Sequence, residues 1–153
     1  MPASVYASGG HLSALEMDVE DTAVMLLECA SGGRRLPVSV SLDFVQRPPR
    51  RFGEIVGEQG TIRWDAVEPS VSLYEASRGA WEVERFPAFE RNELFLDEMA
   101  HFLRCLQGRE TAQVSAESGA RTLQIALAAK ASLETKRPIQ VSREHERAYE
   151  SVA

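Results

Sequence analysis

The sequence predicts an α+β domain: an open-faced, mainly antiparallel sheet of about six strands with two C-terminal helices packed on one face. Two observations lead to this fold class. Short segments with strand-like apolar patterns, joined by turns that contain glycine, occupy the first two thirds of the chain. No helix lies between them to build a parallel crossover, which indicates antiparallel neighbours. Two segments with helical apolar spacing follow, at residues 91–107 and 115–135.

The strands are predicted from two kinds of apolar pattern. Residues 38–44 alternate strictly between apolar and polar side chains, which is typical of a strand with one buried face. Residues 22–29 contain the unbroken apolar run 23–27, which is typical of a strand covered on both faces. We therefore expect Val24 and Leu26 to lie in an interface with a partner subunit or another domain. The other predicted strands lie at 54–56, 61–65, 70–75, 80–86 and 139–141.

The helix boundaries are predicted from the residues that start and stop helices. Gly108 ends the first helix, Ser115 is the expected N-cap of the second, and Pro138 marks where the second has ended. We expect residues 1–142 to form the domain and the charged segment 143–153 to be a frayed tail.

Composition argues against several classes of protein. The chain has 17 Lys and Arg against 23 Asp and Glu, a net charge of −6, whereas nucleic-acid binding favours a basic surface. It has no apolar run long enough for a membrane span, and its first residues do not resemble a signal peptide. Cys29 and Cys105 form no C-x-x-C or Cys/His cluster, so we expect reduced thiols, no zinc, and a cytoplasmic location.

The motifs that hold nucleotides are missing from the sequence. Neither G-x-G-x-x-G nor G-x-x-x-x-G-K-[ST] occurs, and the glycines lie in predicted β turns. The sequence therefore predicts no cofactor-binding residue in this chain.

Two groups of titratable residues are candidate sites. His101 follows Asp97 by four residues on the first predicted helix, a spacing that places both on one face and could bind metal or move a proton. His11 precedes several acids that end at Asp21, which could hold a cation. Neither spacing matches a known metal site, so solvated surface is favoured for both and no metal ligand is predicted.

One segment concentrates positive charge, at residues 46–51 with the sequence Q-R-P-P-R-R. The prolines stiffen the backbone and could present Arg47 or Arg50 to an anion or a group of sugar hydroxyls. The alternative is a charged, proline-broken strand edge that prevents sheet-to-sheet aggregation. The sequence leaves both interpretations open.

Several stretches, among them 39–50, 54–62 and 123–130, together resemble the C-terminal domain of the Gfo/Idh/MocA family, named after glucose–fructose oxidoreductase and inositol dehydrogenase. The most specific is E-I-V-G-E-Q-G-T-I at 54–62, and the resemblance extends from about Ser4 to Val141. The remaining stretches that carry it lie at 19–23, 39–50, 61–65, 91–99 and 123–130.

The resemblance implies an NAD(P)-dependent oxidoreductase of sugars or polyols, whose N-terminal Rossmann domain holds the cofactor. It implies a sheet that forms a dimer or tetramer interface, and it makes Gln46 and Arg47 candidate substrate contacts. The family's glycine-rich fingerprint, its lysine in E-K-P and its D-x-x-x-H element all precede the matched region, and none occurs at its family position here. Asp97 and His101 have the D-x-x-x-H spacing, but they lie within the matched region, on the first predicted helix. No catalytic residue can therefore be assigned, and we expect this chain alone to be inactive.

The favoured hypothesis is a substrate-binding and oligomerisation domain. Its expected partners are further copies of itself, a Rossmann domain that lies upstream or on a separate chain, and a sugar-like molecule. The cofactor, NAD or NADP, would belong to the whole enzyme. The alternatives are a stand-alone dimerisation or ligand-binding module without redox activity, and, more weakly, a scaffold unrelated to redox chemistry.

Overall fold

A computed structural model of the chain describes residues 1–141. The predicted tail at 143–153 lies outside the described residues. The chain forms two compact units, one made of Met1–Val45 with the segment from Val114 onward, and the other of Gln46–Gln113.

The described chain contains eight strands and two helices. They form two four-stranded antiparallel sheets, ordered β3-β2-β1-β8 in the first unit and β4-β5-β6-β7 in the second. The predicted α+β class is confirmed, and about six strands was close to the eight observed. In chain order the elements are β1 (Pro2–Gly10), β2 (Thr22–Ser31), β3 (Arg34–Asp43), β4 (Phe52–Gly57), β5 (Gly60–Asp65), β6 (Ser70–Glu75), β7 (Ala80–Arg85), α1 (Arg91–Leu106), α2 (Ala116–Thr135) and β8 (Ile139–Gln140).

Strand β1 was not predicted from the sequence, yet it lies between β2 and β8 in the first sheet. Its inward-facing residues Val5 and Ala7 are fully buried. Serines, glycines and a single large aliphatic residue make up most of the strand, so it has little of the apolar alternation that identifies a strand. Contacts with distant parts of the chain, rather than local pattern, place it at the centre of the sheet.

Helix α2 packs on β1 and β8 and forms the core of the first unit. Its predicted N-cap is confirmed, because the Ser115 hydroxyl accepts a hydrogen bond from the Ser118 amide at 3.2 Å. The alanine-rich face lets the helix approach the strand closely. The buried core cluster consists of Val5, Ala7, Ala128, Ala129, Leu133 and Val141.

Strand β2 has one covered face and one open face in this chain. Met25 and Leu27 pack against the core, whereas Val24 and Leu26 are 51% and 54% exposed. The residues of the apolar run therefore alternate between the face that packs against the core and an exposed face. That a partner subunit or another domain covers the exposed face remains a prediction.

The second unit begins with two hairpins that match the predicted turns. Gly57 and Gly60 pair across the β4–β5 turn, and Gly79 has a φ of 63° in the β6–β7 turn. Both connections are short, so consecutive strands pair as antiparallel neighbours.

Helix α1 also belongs to the second unit, and none of its residues is buried. Gly108, with a φ of 68°, follows its last turn, as predicted for a residue that ends a helix. Within residues 1–141, neither helix is long and apolar enough to cross a bilayer.

Candidate functional site

A cleft of about 410 Å³ lies on one face of the sheet in the second unit, and we call it the β4–β6 cleft. The antiparallel register places Arg63 opposite both Glu54 and Ser72, and Asp65 opposite Ser70. Because alternate residues share a face, these five side chains line one surface. The volume lies within the range of small-molecule sites, roughly 300–1,000 Å³.

The two arginines of the cleft are held against aromatic rings. The Arg50 guanidinium lies 4.5 Å from the centroid of the Phe52 ring, and the Arg63 guanidinium lies 4.6 Å from that of Trp81. Arg63 Nε also donates to Glu54 Oε2. Stacking and pairing restrict both planar groups, which leaves their remaining N–H donors in defined positions.

One of the two oxygens of the Asp65 carboxylate accepts hydrogen bonds from the turn that follows β5. Its Oδ1 accepts hydrogen bonds from the amides of Val67 and Glu68, at 2.7 and 2.9 Å. These bonds, Glu68 foremost, and the nearby charge of Arg50 hold the pKa of Asp65 below its usual value. Within residues 1–141, no hydrogen bond reaches Asp65 Oδ2 or the Ser72 hydroxyl, so both remain open to a ligand.

The predicted substrate contacts, Gln46 and Arg47, lie in the connection between β3 and β4 and are exposed. Arg47 Nη1 donates a hydrogen bond to the Gln46 carbonyl oxygen, at 2.9 Å. Neither residue lines the β4–β6 cleft, whereas Arg50 from the same cationic segment does. Their role in substrate binding remains a prediction.

The predicted interface residues Val24 and Leu26 share an open face of the first sheet with Tyr6. Tyr6 lies opposite Leu26 in the register and is 41% exposed. Serines surround these three apolar residues, at Ser8 beside Val24 on β1 and at further positions on β3. This apolar centre with a polar rim resembles the anatomy of protein interfaces.

His101 pairs with Glu110, whereas its spacing in the sequence pointed to Asp97 as the partner. Its Nδ1 lies 2.6 Å from Glu110 Oε2, and Arg104 Nε donates to the other carboxylate oxygen at 2.5 Å. The Gln113 amide donates to His101 Nε2 at 3.3 Å. The His101 and Arg104 bonds, in that order, hold the pKa of Glu110 below its usual value.

This cluster ties the segment after α1 back onto the helix, and the His101 side chain is half-buried, with 24% of its surface exposed. Cys105 Sγ lies 3.5 Å from His101 Nε2 and 3.9 Å from Nδ1. Because the two distances are similar, the sulfur lies beside the imidazole ring and not in line with the lone pair of one ring nitrogen. Since both ring nitrogens already have partners, the geometry does not form a nucleophile–base pair.

Asp21 is buried, with 1% of its surface exposed, so the expectation of a solvated loop is wrong for it. Its carboxylate accepts bonds from the amides of Leu12 and Ser13 and from the hydroxyls of Ser13 and Thr22, at 2.6–3.0 Å. These bonds, with the Ser13 hydroxyl foremost, hold the pKa of Asp21 well below its usual range. His11 Nδ1 lies 3.8 Å away. Among residues 1–141, no group of three or more His, Cys, Asp or Glu could hold a metal.

We expect Asp21 to make the first unit sensitive to acid. A carboxylate whose folded pKa is lowered adds stability above its unfolded pKa, near 4, and loses it as the pH falls toward the folded value. Urea unfolding of Asp21→Asn should show a flatter loss of stability below about pH 4 than the wild type. Asp18→Asn, an exposed acid in the same loop, is the matched control and should retain the wild-type slope. Equal slopes for all three proteins would contradict this role of Asp21.

Comparison with known proteins identifies the family. The family model described as the C-terminal alpha/beta domain of an oxidoreductase family, of Gfo/Idh/MocA type, matches residues 1–141. No curated protein matches the sequence.

Solved structures have the same fold. A candidate oxidoreductase from Thermotoga maritima superposes with a TM-score of 0.69 at 23% identity over 92% of this chain. UDP-N-acetylglucosamine 3-dehydrogenase GnnA from Acidithiobacillus ferrooxidans gives 0.69 at 21% over 88%. The WlbA dehydrogenase from Bordetella pertussis, solved with NADH and UDP-GlcNAcA, gives 0.64 at 23% over 91%.

The matches cover only part of these relatives. This chain spans 41%, 40% and 40% of the lengths of the three solved chains. It therefore belongs to the Gfo/Idh/MocA oxidoreductase family and corresponds to the C-terminal alpha/beta domain of that family.

Proposed function

We propose that this chain is the substrate-binding and oligomerisation domain of a cytoplasmic NAD(P)-dependent sugar or polyol oxidoreductase, and that it does not catalyse hydride transfer alone. The observation that carries the proposal is the family match over residues 1–141. A Rossmann domain would hold the nicotinamide, since hydride transfer needs the cofactor positioned against the substrate. The solved WlbA relative, which contains NADH and UDP-GlcNAcA, supports both the cofactor class and a sugar-like substrate.

Gln46 and Arg47 are the proposed substrate contacts. Both are exposed, and they lie next to prolines that stiffen the connection between β3 and β4. An amide and a guanidinium together offer donors and an acceptor to sugar hydroxyls or to an anionic group.

NAD(P)H fluorescence titration can test whether a Rossmann domain, and not this chain, binds the cofactor. The isolated chain should not bind NAD(P)H, whereas its complex with a chain or segment that carries a strand–G-x-G-x-x-G–helix unit and E-K-P should bind it. Micromolar binding by the isolated chain would overturn the proposal. Absence of any such partner in the neighbouring coding sequence would favour the stand-alone module instead.

The open face of the first sheet is the proposed self-association surface. Leu26→Glu should shift sedimentation from a dimer or larger species to monomer, because a charge without a partner in an apolar contact is costly. The fold should survive, since Leu26 is 54% exposed. Leu42→Glu is the matched control: Leu42 is 58% exposed and lies opposite Ala23, on the other face of the sheet. A monomeric wild type, or Leu26→Glu that still self-associates, would contradict this interface.

A further inference from the structure

The formal charges of the residues that line the β4–β6 cleft sum to zero. Arg50 and Arg63 contribute two positive charges, and Glu54 and Asp65 contribute two negative charges. An anion attracted to the guanidinium groups would meet the carboxylates, and a cation would meet the guanidinium groups. The cleft therefore favours a ligand without net charge.

The groups that remain open in the cleft suit hydroxyl groups. Asp65 Oδ2 can accept, the Ser72 hydroxyl can donate or accept, and Arg63 has Nη donors beyond its Nε bond to Glu54. Each carboxylate offers one oxygen, because protein donors occupy the other. A single acceptor oxygen beside fixed donors matches a hydroxyl, which donates once and accepts in return.

The cleft is also preorganised. Phe52 and Trp81 hold the two guanidinium planes, and the β5–β6 turn holds the Asp65 carboxylate. Ser70 lies opposite Asp65 and is itself fixed, because its hydroxyl donates to the Glu68 carbonyl at 2.9 Å. These contacts restrict the side chains before a ligand arrives, which lowers the cost of holding a small polar molecule.

We propose that the β4–β6 cleft is a binding site for a neutral polyhydroxylated molecule, such as a monosaccharide or an alditol. The site is built from the second unit alone and includes neither Gln46 nor Arg47. It requires no nicotinamide and no Rossmann domain, so it stands or falls separately from the proposed enzymatic role.

The test is NMR titration of the ¹⁵N-labelled chain with D-glucose, sorbitol, inorganic phosphate and glycine as separate probes. We expect glucose or sorbitol to shift the amide signals of Arg63, Asp65 and Ser72 in a saturable way. Phosphate and glycine should leave these signals in place.

Asp65→Asn is the informative variant. Asparagine retains the Oδ1 acceptor for the Val67 and Glu68 amides but replaces the open Oδ2 with an NH₂ donor. The apparent affinity for the polyol should fall about tenfold, because a hydrogen bond to a charged acceptor is lost. Glu84→Gln removes the same charge from the opposite face of the sheet and should leave binding unchanged.

Three results would overturn the proposal. These are the absence of a shift in the cleft signals with either polyol, a shift of those signals by phosphate or glycine instead, and binding of the polyol by Asp65→Asn with wild-type affinity. Failure to bind NAD(P)H bears only on the enzymatic role and would leave this site unaffected.

Discussion

Gly60→Ala is expected to destabilise the second unit by about 3 kcal/mol or more. A Cβ at Gly60 would lie far inside contact distance of the Tyr74 carbonyl oxygen, on the backbone of the neighbouring strand β6. A backbone atom in a ladder cannot turn aside as a side chain can, so β5 and β6 would have to separate at the Gly60–Glu75 pair.

Gly57→Ala is the matched control, because the two glycines pair across one turn. The nearest atom to a Cβ at Gly57 is the Gly60 carbonyl oxygen at 3.6 Å, an ordinary contact. Both tryptophans of the chain, Trp64 and Trp81, lie in the second unit. Urea unfolding followed by tryptophan fluorescence therefore reports on this unit. Equal midpoints for the two variants would refute the close approach at Gly60.

Ser132→Ala is expected to destabilise the first unit by about 2 to 4 kcal/mol, because two backbone groups lose their partner. The fully buried Ser132 hydroxyl accepts from the Ala7 amide at 2.9 Å and donates to the Arg137 carbonyl at 2.7 Å. It thereby satisfies an amide on β1 that β8, only two residues long, does not reach.

Thr135→Ala is the control for Ser132→Ala, since it removes a hydroxyl from the same helix. That hydroxyl is exposed and donates to the Ala131 carbonyl within α2, so its loss should change stability by less than about 0.5 kcal/mol. Unfolding can be followed by far-UV circular dichroism, and hydrogen exchange should show faster exchange of the Ala7 amide in Ser132→Ala. A wild-type exchange rate of the Ala7 amide in Ser132→Ala would contradict the hydrogen bond from this amide to the Ser132 hydroxyl.

The candidate cleft could be predicted only in part. The cationic segment that contains Arg50 was recognised as a ligand candidate, because prolines and arginines are conspicuous in sequence. The contributions of Glu54 on β4 and of Arg63 and Asp65 on β5 could not be recognised, because each looks like an ordinary outward-facing charge of a strand. Only the pairing of β4 with β5 brings Glu54 beside Arg63, and pairing joins residues that are separated in sequence.

The sequence by itself determined the elements whose signal is local. The alternation at 38–44, the glycine turns and the helical spacing of α1 and α2 depend on neighbouring residues, and each predicted its element. Family membership also followed from the sequence, since the E-I-V-G-E stretch is contiguous.

Only the tertiary structure decided the rest, because burial depends on what packs against a residue from elsewhere in the chain. It placed the weakly patterned β1 inside a sheet, and it buried Asp21 and Ser132 as satisfied polar groups. It also paired His101 with Glu110 rather than Asp97. A polar side chain looks the same in sequence whether water or a folded backbone supplies its hydrogen bonds.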